Sequence, residues 1–143
     1  MGVQKSNHCV YDTHYHVVFP VKYRKALLQK DVTAAIREIA GEITERYDIA
    51  FEQLGTDDNH IHILCSFHPK LSGGDVVRIF KSITAKQLFR RFPDLRRDLW
   101  GGEFWADGYY LATVSEKGNW ATVERYVAQQ GKAASTTAQL RLL

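Results

Sequence analysis

Apolar and polar residues alternate along several short stretches of the chain, which is typical of β-strands. Residues 14–23 are rich in β-branched and aromatic side chains and predict a strand, and Pro20 within it indicates an edge position or a bulge. Residues 49–54 predict a second strand. Asp57-Asp58-Asn59 predicts a turn before a third strand over residues 60–67. The second and third strands should therefore form a hairpin.

Other stretches have helical spacing. Residues 31–47 predict a helix capped by Asp31, and Ser72-Gly73-Gly74-Asp75 predicts the capped start of a second helix that runs to about residue 91. Residues 104–114 predict one more strand or a short pair of strands. Residues 119–130 predict a last helix, bounded by Gly118 and Gly131. The positions expected on the buried faces of the first two helices are Ala35, Ile36, Ile39, Ala40, Ile43, Val77, Phe80, Ile83, Thr84 and Leu88.

The order of these elements, β-α-β-β-α-β-α, indicates the fold class. It predicts an α+β domain in which helices pack on an antiparallel sheet, of the split βαβ (ferredoxin-like or RRM-like) kind. The chain has 143 residues, which suits one compact domain. We expect that domain to span residues 1–132 and residues 133–143 to form a small, polar, flexible tail.

Composition narrows the class of protein. Hydrophobic residues make up 45% and charged residues 24%, as in a globular domain rather than a disordered chain. No apolar run approaches the roughly 18 residues of a membrane span, and residues 1–7 lack the apolar stretch of a signal peptide. We therefore expect no membrane partner and a cytoplasmic location. Cys9 and Cys65 are too few for a disulfide framework, so both should be free thiols, with Cys65 buried.

Charge is unevenly distributed, although the net charge is only +3. Residues 31–58 are predominantly acidic, whereas residues 70–97 are predominantly basic. The bases in the second segment are Lys70, Arg78, Lys81, Lys86, Arg90, Arg91, Arg96 and Arg97, against Asp75 and Asp94. Such a cluster would neutralise phosphates on one surface and add a salt-dependent term to nucleic-acid binding. The alternative is an ordinary solvated helix face.

His60-Ile61-His62 is the first candidate for chemistry. Residues i and i+2 of a strand share a face, so both imidazoles can reach one ion, while Ile61 and Ile63 would pack on the helices. Two ligands leave a metal site incomplete. A hydrogen-bonded pair of surface histidines is the alternative.

The predicted last helix offers a second candidate pair. Tyr126 and Gln130 are four residues apart and share a helical face. A phosphate polarised by a divalent cation accepts attack by a phenol more readily, and Gln130 could supply an oxygen to the same ion. On spacing alone, a packing role is the more common one for such a tyrosine, so the spacing does not establish a nucleophile.

Other constellations are weaker. The serines lack a His and Asp partner arrangement, and neither a P-loop nor a dinucleotide fingerprint is present. Asp57 and Asp58 could bind a metal or act as a base, yet a hairpin turn favours these residues anyway. We interpret His16 as a structural strand residue.

Taken in order, the motifs resemble those of the single-tyrosine HUH transposases, the insertion-sequence two-hundred/six-hundred-and-five group. The resemblance covers residues 14–130. Its motifs are Tyr15-His16-Val17-Val18-Phe19, Lys22-Tyr23-Arg24, Asp58-Asn59-His60-Ile61-His62-Ile63-Leu64, Lys81-Ser82, Leu99-Trp100-Gly101-Gly102-Glu103-Phe104-Trp105, Gly108-Tyr109-Tyr110, Thr113-Val114-Ser115, Tyr126-Val127 and Gln130. Pro20 and Asn59 depart from the usual pattern without touching the proposed chemistry.

The resemblance implies an HUH fold and a definite chemistry. His60, His62 and Gln130 would bind one Mg²⁺ or Mn²⁺. Tyr126 would attack a DNA phosphate, form a 5′-phosphotyrosine and release a 3′-OH that can later rejoin the strand. Because the bond energy is retained in the covalent intermediate, no ATP is required.

The resemblance also implies partners. Family members act as homodimers in which the tyrosine helix can complete the partner's site in trans, and they recognise imperfect hairpins in single-stranded DNA. Gly118 and Gly131 are compatible with a hinge, although glycines also simply cap helices. The aromatic residues Tyr23, Trp100, Phe104, Trp105 and Tyr109 could supply stacking surfaces. The candidate DNA-binding bases are Lys22, Arg24, Arg78, Lys81, Lys86 and Arg90.

Three alternatives stay open at this point. A nucleic-acid-binding regulator could keep the fold without cutting. A tyrosine transposase retained by its host could act on repeated palindromes. An unrelated HxH metallohydrolase would need a further carboxylate or histidine and would not need Tyr126.

Overall fold

A computed structural model of the chain describes residues 3–6 and 9–114. In chain order, its helices and strands are β1 (Gln4–Ser6), β2 (Cys9–Tyr11), β3 (His14–Pro20), α1 (Lys30–Tyr47), β4 (Ile49–Asp57), β5 (His60–Phe67), α2 (Gly73–Arg91) and β6 (Tyr110–Val114). Short 3₁₀ turns lie at Lys22–Arg24 and Pro93–Arg97. The predicted last helix over residues 119–130 and the predicted domain boundary at residue 132 lie outside the described residues.

Four strands form one sheet in the order β4-β5-β3-β6, with every neighbouring pair antiparallel. β1 and β2 pair separately as a small antiparallel ribbon. Both helices pack on one face of the four-stranded sheet, where their apolar residues join Val17, Phe19, Ile61 and Ile63 in the main core. This architecture confirms the predicted α+β fold with a split βαβ arrangement.

The β4–β5 hairpin agrees closely with the prediction. β5 has the predicted bounds, and Asp58 and Asn59 form the turn before it. β4 continues to Asp57, three residues beyond the predicted end, because its last residues pair with the first residues of β5. The register shifts between Phe51 and Gln53, so β4 contains a bulge.

The prediction for the start of α1 was wrong by two residues. Gln29 occupies the cap position, and its side chain makes no capping hydrogen bond. Asp31 lies inside the first turn, where its Oδ1 accepts a hydrogen bond from the backbone N–H of Val32 at 2.9 Å. A carboxylate in the first turn still interacts favourably with the helix dipole. Asp31 therefore indicated correctly where the helix begins, but it is not the capping residue.

The start of α2 was predicted correctly. Ser72 Oγ accepts a hydrogen bond from the backbone N–H of Asp75, and the Asp75 carboxylate accepts one from the backbone N–H of Ser72, each at 3.0 Å. This is a reciprocal capping box. A Cβ at Gly73 would collide with the side chain of Leu111, so glycine lets the helix start lie close to β6.

Pro20 does not mark an edge strand or a bulge, as its position suggested. β3 is an inner strand that pairs with both β5 and β6. Pro20 is its last residue and pairs with His60, whereas the pairing with β6 ends at Val18. Proline has no backbone N–H to donate. At position 20 none is required on the β6 side, because the hydrogen bonding between β3 and β6 has already ended, so proline is tolerated there.

Within residues 104–114 the structure contains one strand, β6, and a single bridge between Trp105 and Val21 rather than a second strand. Cys9 and Cys65 are not joined in a disulfide, and Cys65 is buried, as predicted. Across residues 3–6 and 9–114, no helix is long and apolar enough to cross a membrane.

Candidate metal and nucleic-acid site

The two faces of β5 differ in chemistry, as its alternation predicted. Ile61 and Ile63 belong to the core beneath the helices, whereas His60 and His62 lie on the opposite face. Both histidines are only 1% exposed. The alternative of a surface pair is therefore wrong: these imidazoles have been removed from water, which requires partners for their nitrogens.

His60 has one ring nitrogen fixed and one available. Its Nδ1–H donates a hydrogen bond to Asn59 Oδ1 at 2.8 Å, so the prediction that Asn59 does not touch the proposed chemistry was wrong. Its Nε2 is buried and has no hydrogen-bond partner within the described part of the chain, and the nearby Asp57 Oδ2 is 3.8 Å away. Burial lowers the pKa of His60; the Asp57 carboxylate opposes this shift, and Arg24 adds to it. The imidazole is therefore neutral and presents a lone pair on Nε2.

His62 is held by a neighbouring strand. Its Nδ1 lies 3.1 Å from Nε2 of His16 on β3, and the two rings stack with centroids 5.3 Å apart. Burial, with contributions from His16 and His60, lowers the pKa of His62 to about 3. Burial also lowers the pKa of His16 to about 4. All three rings are consequently neutral at physiological pH.

The rings of His60 and His62 lie edge to face, with centroids 5.1 Å apart. A buried, neutral imidazole nitrogen without a hydrogen-bond partner suits a metal ion, so the His60 ring fits the ligand role that its sequence motif suggested. The proposed nucleophile Tyr126 and the proposed third ligand Gln130 lie outside the described residues. In the part of the chain that the structure describes, no three His, Cys, Asp or Glu side chains form a metal cluster.

His14 lies on the same strand as His16 but has a different environment. Its Nδ1 is 2.8 Å from Glu52 Oε1, and its Nε2 is 2.8 Å from Asp12 Oδ1. Both ring nitrogens are engaged by carboxylates, so this residue ties β3 to β4 instead of facing the candidate site.

The candidate DNA-binding bases do not share one environment. Lys86 and Arg90 are exposed on α2, and Arg78 is 71% exposed and paired with Asp75 at 3.1 Å. Lys22 Nζ is 3.2 Å from Glu103 Oε1, whereas Arg24 is exposed in the 3₁₀ turn that follows β3. Arg78, Lys86 and Arg90 therefore remain accessible to a phosphate backbone.

Lys81 differs from the other bases because its ammonium is used inside the protein. It donates hydrogen bonds to the carbonyls of Ala106 at 2.7 Å and Gly108 at 2.8 Å, and it lies 5.0 Å from the centre of the Phe19 ring. Burial lowers its pKa, an effect that Asp107 and Glu103 oppose. Its helical position suggested a solvated base, but this lysine fastens the loop between α2 and β6. That loop and α2 line an open cleft of about 440 Å³.

Two features escaped the sequence interpretation. His16 was interpreted as a structural strand residue, whereas it contacts the candidate ligand His62. Tyr23 and Trp100, which are 77 residues apart in the sequence, stack on each other at the surface. The His16–His62 contact and the Tyr23–Trp100 stack both depend on which strands and loops become neighbours in the fold. The sequence signals for them were limited to the residue types and to the alternation of β3.

Comparisons with known proteins identify the family of this chain. The family profile described as "Transposase IS200 like" matches residues 9–130. The ISDra2 transposase TnpA of Deinococcus radiodurans is 30% identical over 130 residues, which cover 91% of this chain and 92% of that protein. The transposase for insertion sequence element IS200 of Salmonella typhimurium is 30% identical over 131 residues, which cover 91% of this chain and 85% of that protein.

Solved structures share the fold. The crystal structure of a candidate transposase from Deinococcus radiodurans r1 superimposes with a TM-score of 0.71 at 28% identity, covering 91% of this chain and 99% of that one. A REP-associated tyrosine transposase bound to a REP hairpin superimposes with a TM-score of 0.57 at 10% identity, covering 87% of this chain and 70% of that one. At that identity, the second likeness shows the fold alone. Because the family profile spans most of the sequence and the curated relatives match over nearly their whole length, this chain belongs to the IS200-like family of transposases.

Proposed function

We propose that this protein is a metal-dependent tyrosine transposase that cleaves and rejoins single-stranded DNA through a 5′-phosphotyrosine. Its substrates are the hairpin-bearing ends of a mobile element, and it acts in the cytoplasm, where that DNA is found. Family membership supports the class of reaction. The observation that carries the site is the buried His60–His62 pair, in which Nε2 of His60 has no hydrogen-bond partner within the described residues.

The metal site is proposed to consist of His60, His62 and Gln130. A bound Mg²⁺ or Mn²⁺ would polarise the DNA phosphate that is attacked. Asn59 holds the proton of His60 on Nδ1, and this leaves Nε2 as the ligand atom. In the tautomer in which the Nδ1–H of His62 donates to Nε2 of His16, the proton of His62 is likewise held on Nδ1, and its Nε2 is the ligand atom. Gln130 enters this set from the family resemblance.

Tyr126 is the proposed nucleophile. Its phenol oxygen attacks the phosphorus, so a tyrosine O–P bond forms, the P–O3′ bond breaks, and the phenol proton ends on the released 3′ oxygen. In the rejoining step a 3′-OH attacks the phosphotyrosine, the new P–O3′ bond forms, and the tyrosine recovers its proton. Each step exchanges one phosphodiester for another, so no external energy source is needed.

The proposed partners are single-stranded DNA with imperfect hairpins and a second copy of this chain. One structural neighbour was solved with a REP hairpin, which supports hairpin binding on this fold. The homodimer, with the Tyr126 helix acting in trans, follows from the family resemblance. The exposed bases Arg78, Lys86 and Arg90 on α2 are proposed to contact phosphates.

The test uses the purified full-length protein and Tyr126→Phe, incubated with labelled single strands from both flanks of the gene, in Mn²⁺ or in EDTA. We expect a covalent adduct on denaturing gels with the wild type in Mn²⁺ alone. The adduct should be absent with double-stranded DNA, with Tyr126→Phe and with His60→Ala. It should be present with the control His68→Ala, because His68 follows the end of β5 and its Nδ1 accepts a hydrogen bond from the backbone N–H of Lys70. Binding of the strands without any adduct would instead establish a DNA-binding regulator.

A further inference from the structure

The chain takes an unusual backbone conformation directly after β3. Tyr23 has φ 60° and ψ 14°, and Arg24 has φ 53°, so two consecutive non-glycine residues occupy the left-handed region. An aromatic residue there is rare and costs free energy. Hydrogen bonds hold the turn in place: the backbone N–H of Lys22 donates to the Phe104 carbonyl, and that of Arg24 donates to the Val21 carbonyl, each at 2.8 Å. The turn is therefore held in this conformation although it leaves the Tyr23 side chain 46% exposed.

A second loop brings Trp100 onto this turn. The Tyr23 and Trp100 rings stack with centroids 5.5 Å apart and planes at 21°. The Tyr23 hydroxyl donates a hydrogen bond to the Trp100 carbonyl at 3.2 Å. Gly101 follows with φ 101°, a conformation suited to glycine. Leu99 is buried on one side of the loop and Phe104 on the other, so the loop is anchored at both ends.

Trp100 nevertheless remains 76% exposed. Tyr23 can cover only one face of the indole, so its other face is open to solvent. Exposing a large aromatic ring on a strained, hydrogen-bonded frame opposes stability, whereas a preorganised ring lowers the entropic cost of binding a flat partner. Phe104 and Trp105, which the sequence suggested as further stacking residues, are core residues instead.

The charge around the Tyr23–Trp100 stack and its position favour unpaired bases of single-stranded DNA as its partner. Lys22 lies 5.7 Å from the centre of the Tyr23 ring, although its ammonium is also paired with Glu103. Residues 22–25 contain three bases and no acid, and Arg24 and Lys25 are both exposed. The turn also adjoins the candidate metal site, because Pro20 pairs with His60 and the backbone N–H of Val21 donates to the Asn59 carbonyl. Aromatic rings beside cations bind unpaired bases of single strands, by stacking on the base and contacting the flanking phosphates.

We infer that the stacked Tyr23–Trp100 pair is a platform on which one unpaired base of the single-stranded DNA stacks, with Arg24 and Lys25 on the flanking phosphates. This inference rests on the proposed function only in taking single-stranded DNA as the substrate. It assigns a binding role to the conformation of residues 22–24 and to the exposure of Trp100.

The test measures binding without cleavage, by fluorescence anisotropy in EDTA, on labelled strands from both flanks of the gene. Trp100→Ala should weaken binding about tenfold, the effect of losing one stacked base, while Trp100→Phe should retain most of the affinity. Tyr23→Ala should act in the same direction. Val10→Ala, which trims an exposed apolar side chain on β2, is the matched control and should bind like the wild type.

A set of strands, each with one abasic position, locates the stacked base. One position should weaken binding to the wild type about tenfold and have no further effect on Trp100→Ala, because that variant has no indole on which the base could stack. If Trp100→Ala binds like the wild type, or if every abasic position adds fully to it, the platform does not exist.

The outcomes separate this inference from the proposed function. An adduct at Tyr126 together with unchanged binding by Trp100→Ala would overturn the platform and leave the transposase mechanism standing. Weakened binding by Trp100→Ala without an adduct on any strand would establish the platform and overturn the mechanism. Thermal unfolding of Trp100→Ala should match the wild type, because the side chain is mostly exposed.

Discussion

Nε2 of His16 lies 3.1 Å from Nδ1 of His62, across two neighbouring strands of the sheet. His16 pairs with Leu64 and His62 pairs with Val18, so the two imidazoles are diagonal neighbours on one face. This contact fixes the orientation of a proposed metal ligand through a residue that would not itself touch the metal.

His16→Ala should therefore weaken binding of Mn²⁺ by about 10- to 100-fold, as loss of a hydrogen-bonding partner behind a metal-bound histidine does. His16→Gln, whose amide can take the place of Nε2, should recover much of that loss. Isothermal titration with Mn²⁺ measures both variants, with His68→Ala as the control. Equal affinity of His16→Ala and the wild type would remove His16 from any positioning role.

The buried histidines also make stability depend on pH. The folded pKa of His16 is about 4, below the unfolded value of about 6.5, so the unfolded state binds more protons between these values. In the metal-free protein, the free energy of unfolding should fall as the pH drops below about 6.5, by up to about 1.4 kcal/mol per pH unit for each such group. His62, with a pKa of about 3, contributes in the same direction.

Urea unfolding in EDTA at pH 6.5, 6 and 5.5 measures this slope in a range where few carboxylates titrate. His16→Gln should flatten it by one group's share. An identical slope in this variant would show that His16 does not stay neutral in the folded protein.

Lys81 should matter for stability more than for binding. Its ammonium donates to two carbonyls of the loop before β6, so Lys81→Ala should lower the free energy of unfolding by about 2 kcal/mol. Lys86→Ala removes the same charge from an exposed position of α2 and should change it by less than about 0.5 kcal/mol. Urea unfolding of the two variants compares them directly, and equal effects would refute the anchoring role.

The exposed bases of α2 should show the opposite behaviour. Lys86→Ala and Arg90→Ala should each weaken single-strand binding and reduce the slope of log affinity against log salt concentration, by about 0.7 for each phosphate that the variant no longer neutralises. Anisotropy titrations at several salt concentrations measure the slope, and Arg46→Ala on α1 is the control. A slope that is unchanged in both Lys86→Ala and Arg90→Ala would place the DNA away from this face of α2.

Local patterns were sufficient for most of the fold. The alternation of residues 60–67 and the Ser72–Asp75 capping box each marked an element boundary correctly, because strand pleat and helix caps are properties of adjacent residues. Asp31 misled the prediction of the α1 cap because an acidic residue is equally favoured within the first turn. Pro20 misled the placement of β3 because the extent of its pairing with β6 is set by distant residues.

The candidate site was predictable in part for the same reason. His60 and His62 share a face by simple alternation, whereas the contact of His16 with His62 needs the β3–β5 register. The Tyr23–Trp100 stack needs two loops to meet, and neither loop carries a periodic signal. Residue type and spacing therefore indicated the chemistry, and the tertiary pairing supplied the groups that support it.

The strand order has a consequence for how this protein folds. β4 and β5 are joined by a two-residue turn and can pair early in folding. β3 must pair with β5 and β6, which lie about 45 and 95 residues further along the chain. Until β6 has emerged from the ribosome, one edge of β3 lacks its ladder and offers a template for pairing with other chains. Loss of the C-terminal part of the chain should therefore be severe. A chain truncated before residue 110 lacks β6 and should aggregate during synthesis instead of folding into a smaller sheet.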